Sequence, residues 1–104
     1  MNRLSPDEIG QQLRTVRGWE LAGDAIRRTY VFASFADAVA FVNRLAAAAE
    51  AADHHPDILI AYTRVTLAYS THSAGGLTAK DFEGARVADR MVADPNCPGS
   101  SVVL

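Results

Sequence analysis

The tripeptide His54-His55-Pro56 constrains this chain more than any other stretch. Proline lacks a backbone donor and clashes with a preceding helical turn, and it drives the residue before it toward extended backbone. An alanine-rich run that reads as helix comes before it. Ser34 stands at the N-cap with Asp37 in the first turn, and Phe35, Ala38, Val42, Leu45 and Ala49 follow one side to about Asp53. The residues after it read as two strands, Ile58 to Ala61 and Arg64 to Thr71, joined near Tyr62-Thr63. A helix must therefore hand over to a strand at the two histidines, and such a junction presents side chains outward.

The other elements are read from caps and periodicity. Ser5-Pro6-Asp7-Glu8 combines an N-cap, a proline where no backbone donor is needed, and a glutamate that closes a capping box, with Leu4 and Ile9 as a hydrophobic staple. Ile9, Leu13 and Val16 recur at helical spacing until Gly18 ends the segment. Trp19 to Leu21 and Ala25 to Phe32 flank the turn-like Ala22-Gly23-Asp24, which predicts a hairpin with Ile26, Arg28, Tyr30 and Phe32 on one face. In the strand from Arg64, Val65, Leu67, Tyr69 and Thr71 take one face; Thr66, Ala68, Ser70 and His72 take the other with Arg64 itself. After a loop at 73–76, Thr78 caps a last helix with Phe82, Ala85, Ala88 and Val92 inward and Asp81 at its third position. The order α-β-β-α-β-β-α predicts an α+β fold, a four-stranded antiparallel sheet with helices packed on one face. Residues 1–93 are expected to form one domain, and 94–104, where Pro95, Pro98 and Gly99 break all periodicity, a C-terminal tail.

A length of 104 residues leaves little room for a second domain, and a core this small favours association with copies of itself. The net charge of -2 and the scatter of the ten Lys and Arg give no basic field to hold a phosphate backbone, so no nucleic-acid partner is expected. No segment has the apolar length of a secretory signal or a bilayer span, so the expectation is a soluble, cytoplasmic protein without a membrane partner. Cys97, the only cysteine, has no partner for an internal disulfide and no metal-site spacing around it.

All three histidines fall between positions 54 and 72. Imidazole titrates near neutrality, so two or three of them can offer one substrate both a proton donor and a proton acceptor. If the strand from Arg64 stays regular, His72 points away from the helix-packed core and is open to a ligand. Glu50, four residues before His54, is placed by helical spacing to orient that imidazole, although an ordinary exposed pair explains it equally well. Asp81 is first of all a helix cap, since Thr78-x-x-Asp81 is a capping arrangement. Trp19 and Tyr69 read as core aromatics, whereas Tyr62 at the turn fits either a core or a site role. His54, His55, His72 and Asp81 could alternatively ligate zinc or iron, but adjacent histidines on a turn rarely converge on one ion.

Taken together, Glu50-x3-His54-His55-Pro56-x5-Tyr62-x9-His72-x8-Asp81, with Gly18-Trp19, Thr71 and Gly76-Leu77-Thr78, resembles the signature of the pterin-4a-carbinolamine dehydratases, also known as dimerization cofactors of a homeodomain transcription factor. The likeness runs from Leu4 to about Met91. It implies dehydration of a 4a-hydroxytetrahydropterin to a quinonoid dihydropterin, in recycling a pterin for an aromatic amino-acid hydroxylase, with no metal or organic cofactor. By the same resemblance His54 and His72 are the acid/base pair in an unassigned order, and His55 positions substrate. The resemblance further implies that Pro56, Ser70 and Thr71 lie along the pterin edge, that Glu50 and Asp81 are supporting members, and that the protein is a homodimer or homotetramer. Ile58 departs from the aromatic residue common two positions after the proline in animal members, and nothing in the chain points to the transcriptional role. The competing reading is a pterin-binding or oligomerization module that has lost catalysis.

Overall fold

The computed structural model describes residues 3–94 and, for 100–103, the backbone. The elements are α1 (Pro6–Leu13), β1 (Glu20–Ala22), β2 (Ala25–Phe32), α2 (Phe35–Ala52), β3 (Asp57–Ala61), β4 (Arg64–Tyr69), α3 (Ala79–Ala93) and β5 (Ser100–Val103). The four central strands run antiparallel in the order β1-β2-β4-β3. This is the expected α+β order, with one addition. β5, from the segment expected to be a tail, pairs antiparallel with Tyr30–Phe32 of β2. β4 occupies the opposite edge of β2, so β1 and β5 share the remaining edge, end to end. Residues 102–104 are too short to make an element alone, but an open strand edge gives such a segment the backbone partners it lacks. Residues 95–99, with Cys97, and Leu104 lie outside the described residues.

Each helix begins as its cap dictates. Ser5 accepts a hydrogen bond from the Glu8 amide at 3.2 Å, while the Glu8 carboxylate accepts from the Ser5 amide at 2.8 Å. Those Ser5 contacts hold the Glu8 carboxyl below the usual carboxylate range. α1 ends at Leu13, a turn earlier than the Ile9-Leu13-Val16 spacing suggests. Beyond it the backbone tightens to i−3 bonds, and the Thr15 hydroxyl donates to the Gln12 carbonyl at 2.7 Å, competing for the helical acceptor. The chain then turns through Gly18, at φ +90°, where a Cβ would meet the Arg28 guanidinium at 2.6 Å. Trp19 still bonds back to Val16, so β1 starts one residue later than expected.

α2 and α3 pack side by side across one face of the sheet. Ile26, Tyr30 and Phe32 of β2 and Val65, Leu67 and Tyr69 of β4 meet Phe41 and Leu45 of α2 and Phe82, Ala85 and Ala88 of α3. Phe35, expected on the buried side, is instead 53% exposed at the first turn of α2, and Phe41 fills the core. On the opposite face the hydroxyls of Thr29 and Thr66 pair across the strands at 2.8 Å. Ring contacts run through the core without a break, from Phe32 to Phe41, Tyr30, Trp19, Tyr69 and finally His54, at centroid separations of 5.0 to 6.4 Å.

Candidate active site

The geometry begins at the end of α2. Asp53 adopts a left-handed conformation, φ 51°, and the amides of Asp53 and His54 bond back to the carbonyls of Glu50 and Ala49 at 3.2 and 3.1 Å. This pair of bonds is a Schellman closure, in which the residue after the left-handed one is folded back toward the helix. His54 is that residue. Its imidazole is turned inward, with 13% of the side chain exposed, rather than continuing round the helix above Glu50. The expected pairing of Glu50 with His54 therefore does not form. Glu50 meets His55 instead, Oε2 to Nε2 at 2.8 Å, and both side chains are mostly exposed. The i, i+4 rule holds only while helical geometry persists, and here the helix ends at Ala52.

His54 Nε2 lies 2.6 Å from Asp81 Oδ1. Asp81 is fully buried at the third position of α3, where its other oxygen accepts from the Thr78 amide at 2.9 Å and from the Thr71 hydroxyl at 2.9 Å. The hydroxyls of Thr71 and Thr78 are themselves 2.9 Å apart. The carboxylate is thus the helix cap that the sequence predicts through Oδ2, and with Oδ1 it holds a histidine from another element. An ionised carboxylate only accepts hydrogen bonds, so Nε2 carries the proton. Nδ1 makes no hydrogen bond among the described residues. The His54 ring lies nearly parallel to that of Tyr69, at 19° and a centroid distance of 5.9 Å. Burial, helped by the Asp81 charge, pushes the Tyr69 phenol up to about 12, so it is uncharged at neutral pH.

His72 is not on the open sheet face. β4 ends at Tyr69, a bridge pairs Thr71 with Gly76, and His72–Ala74 form a single 3₁₀ turn closed by Gly75 at φ +73°. The strand stops because its chain must turn within four residues to reach Gly76, and that turn swings His72 out as an exposed side chain directly after Thr71. Ser70 and Pro56 are half-buried at the ends of β4 and β3 that flank this region. The structure therefore gathers His54, Thr71, Thr78 and Asp81 into one hydrogen-bonded cluster and sets His72 beside it along the chain. His55 and Glu50 form a separate pair on the outer side of the junction. Among the described residues no group of three His, Cys, Asp or Glu converges as a metal site, because Asp81 engages His54 and Glu50 engages His55 separately.

Two features carry no clear mark in the motif. A mainly apolar recess of 190 Å³ opens between α2 and α3, lined by His54, Tyr69, Leu45, Ala49 and Gly84, with Lys80 and Glu83 also on its wall. Further along α3, Asp89 accepts hydrogen bonds from Trp19 Nε1 at 3.1 Å, Arg28 at 3.0 Å and the Tyr30 hydroxyl at 2.5 Å. Burial and Asp89 raise the Tyr30 phenol well above its usual range. A visible signal was Arg28 on an otherwise apolar strand face, since a guanidinium there requires a carboxylate from the facing layer.

The family model for pterin 4 alpha carbinolamine dehydratase matches residues 2–91. A relative from Thermomicrobium roseum is 54% identical over 86 residues, spanning 83% of this chain and 92% of its own. One from Chloroflexus aurantiacus is 51% identical over 92 residues, spanning 88% and 99%. Each carries the name "Putative pterin-4-alpha-carbinolamine dehydratase". Among solved structures, a transcriptional coactivator/pterin dehydratase from Brucella melitensis superposes with a TM-score of 0.82 at 37% identity, covering 86% of this chain and 97% of that one. A pterin dehydratase-like RuBisCO assembly factor of the alpha-carboxysome shares the fold, with a TM-score of 0.57 at 23% identity over 69% of this chain and 83% of that one.

Proposed function

The chain belongs to the pterin 4 alpha carbinolamine dehydratase family, and on that premise we propose that it eliminates water from a 4a-hydroxytetrahydropterin by histidine acid/base catalysis. In this reaction the N5–H proton passes to a neutral imidazole, the N5=C4a bond forms, and the C4a–O bond breaks as an imidazolium protonates the departing hydroxyl. The products are a quinonoid dihydropterin and water, and proton exchange with solvent restores both imidazoles. No electrons are transferred, so the scheme calls on no redox cofactor.

One observation carries the reading: His54 is held through Nε2 by the buried Asp81, which also holds Thr71, the residue before His72. A carboxylate behind an imidazole fixes the tautomer and supports the ring when it becomes charged. Nδ1 of His54 is then the reacting atom, and His72, exposed on its turn, is the second proton-transfer group. His55, paired with Glu50, sits where it can hold the pterin from the outer side of the junction, with Pro56, Ser70 and Thr71 along the pterin edge. The order of acid and base between His54 and His72 is set by which of them meets N5.

We assign the pathway role by the same membership: the product is reduced again for an aromatic amino-acid hydroxylase. A homo-oligomer fits the edge strand β3 and the turn after it, where Ile58, Leu59 and Tyr62 are 37%, 63% and 75% exposed. The test is to generate a 4a-hydroxytetrahydropterin in the stopped-flow instrument and follow its ultraviolet decay with and without the protein. Acceleration first order in protein supports the dehydratase. Pterin binding without acceleration would establish the non-catalytic binding module instead.

A further inference from the structure

We infer that Tyr69 is a positioning residue for His54, and that the missing side chain at Gly84 is what seats it there. The inference rests on His54 acting in proton transfer as proposed above. Two motions would misalign its imidazole: rotation that breaks the Nε2 contact, and tilting of the ring plane. Asp81 opposes the first. Tyr69 opposes the second, because its ring runs nearly parallel to the imidazole at 19°.

Tyr69 is in turn held from two sides. It is 2% exposed and its ring leans on Trp19 at 5.9 Å. On α3 it rests directly on the backbone at Gly84, where an added Cβ would fall 2.5 Å from Cε1, 2.7 Å from Cζ and 3.0 Å from Cδ1 of the ring. Real side chains do not make such contacts, so any other residue at position 84 forces the ring to move. Gly84 lies mid-helix at an ordinary helical conformation, where alanine is the better helix former, so close packing rather than backbone freedom accounts for glycine there. The space beside the ring is the recess that Tyr69 and His54 line together. A ring pushed off Gly84 has that direction to move in, and it carries with it the surface on which the imidazole lies.

The experiment combines nitrogen-15 histidine NMR with kinetics on wild type, Gly84→Ala, Tyr69→Leu and Tyr69→Phe. The separation of the Nδ1 and Nε2 resonances of His54 reports whether Nε2 still holds its proton against Asp81, and a ring current is too small to mimic its loss. The expected result is that Gly84→Ala and Tyr69→Leu displace those resonances and lower kcat by about 10- to 100-fold, with KM changed by no more than about threefold. Tyr69→Phe, which keeps the ring, retains both. A folded Tyr69→Leu protein with wild-type His54 resonances and kcat overturns the inference. Should Gly84→Ala fail to fold, the Gly84→Ala/Tyr69→Leu double variant, in which the clash is relieved, is read by the same two criteria. If the wild type shows no dehydratase activity, the functional reading fails, while the NMR comparison still decides the positioning.

Discussion

His54 Nε2 and Asp81 Oδ1, 2.6 Å apart, join the C-terminus of α2 to the N-terminus of α3. Asp81 is fully buried and satisfied by three donors, so its charge is stabilised by the helix start as well as by the histidine. Positioning of the imidazole is thereby coupled to the packing of the two helices.

Replacing Asp81 with Asn tests this contact with little change of shape. Asparagine still caps α3 but presents no charge to the imidazole and can reverse its tautomer. We expect kcat to fall by roughly 10- to 1000-fold and stability by about 1–3 kcal/mol, read from steady-state kinetics and urea unfolding. Wild-type kcat in this variant would remove Asp81 from the site.

Glu50→Ala should leave the fold unaffected. Its pair with His55 is exposed on both sides, and such pairs contribute under about 1 kcal/mol, less in salt. Urea unfolding is expected to match the wild type within that limit. An effect on activity, if His55 holds substrate, will be found in KM.

Asp89→Asn addresses stability apart from chemistry. It removes the charge facing Arg28, which is 15% exposed, and disturbs the bonds to Trp19 and Tyr30. A loss of about 2–3 kcal/mol is expected in urea unfolding, with kcat retained well below the melting temperature.

Alkaline pH should unfold the protein through its buried phenols. The folded-state Tyr69 value, about 12, lies above the ordinary phenol value of 10.0, so the native state holds this proton more tightly than the unfolded chain. The resulting stabilisation is full below pH 10 and is lost as pH rises from 10 through about 12. Tyr30 acts in the same direction. Urea titrations from pH 9 to 12 should show falling stability above 10, with a shallower fall in Tyr69→Phe.

Much of this was legible in the sequence because local rules govern it. Ser5 with Glu8, Ser34 with Asp37, and Thr78 with Asp81 all cap as their spacing predicts. His54 and His55 are found at the helix-strand junction, as their neighbours imply. The partner of His54 was not legible, because it depends on a left-handed Asp53, a conformation more usual for glycine or asparagine. The alternation that puts His72 on the sheet continues in the sequence past Tyr69, where the hydrogen-bonded strand has already ended. Gly84 could not be read at all: a mid-helix glycine acquires meaning only when Tyr69 is seen above it.

The most direct measurement is the single-turnover dehydration of a 4a-hydroxytetrahydropterin by wild type and His54→Ala, under conditions where both are folded. The proposed mechanism predicts that the wild type accelerates the reaction and that the substitution removes roughly one to four orders of magnitude of the rate. A His54→Ala protein as fast as the wild type would contradict it.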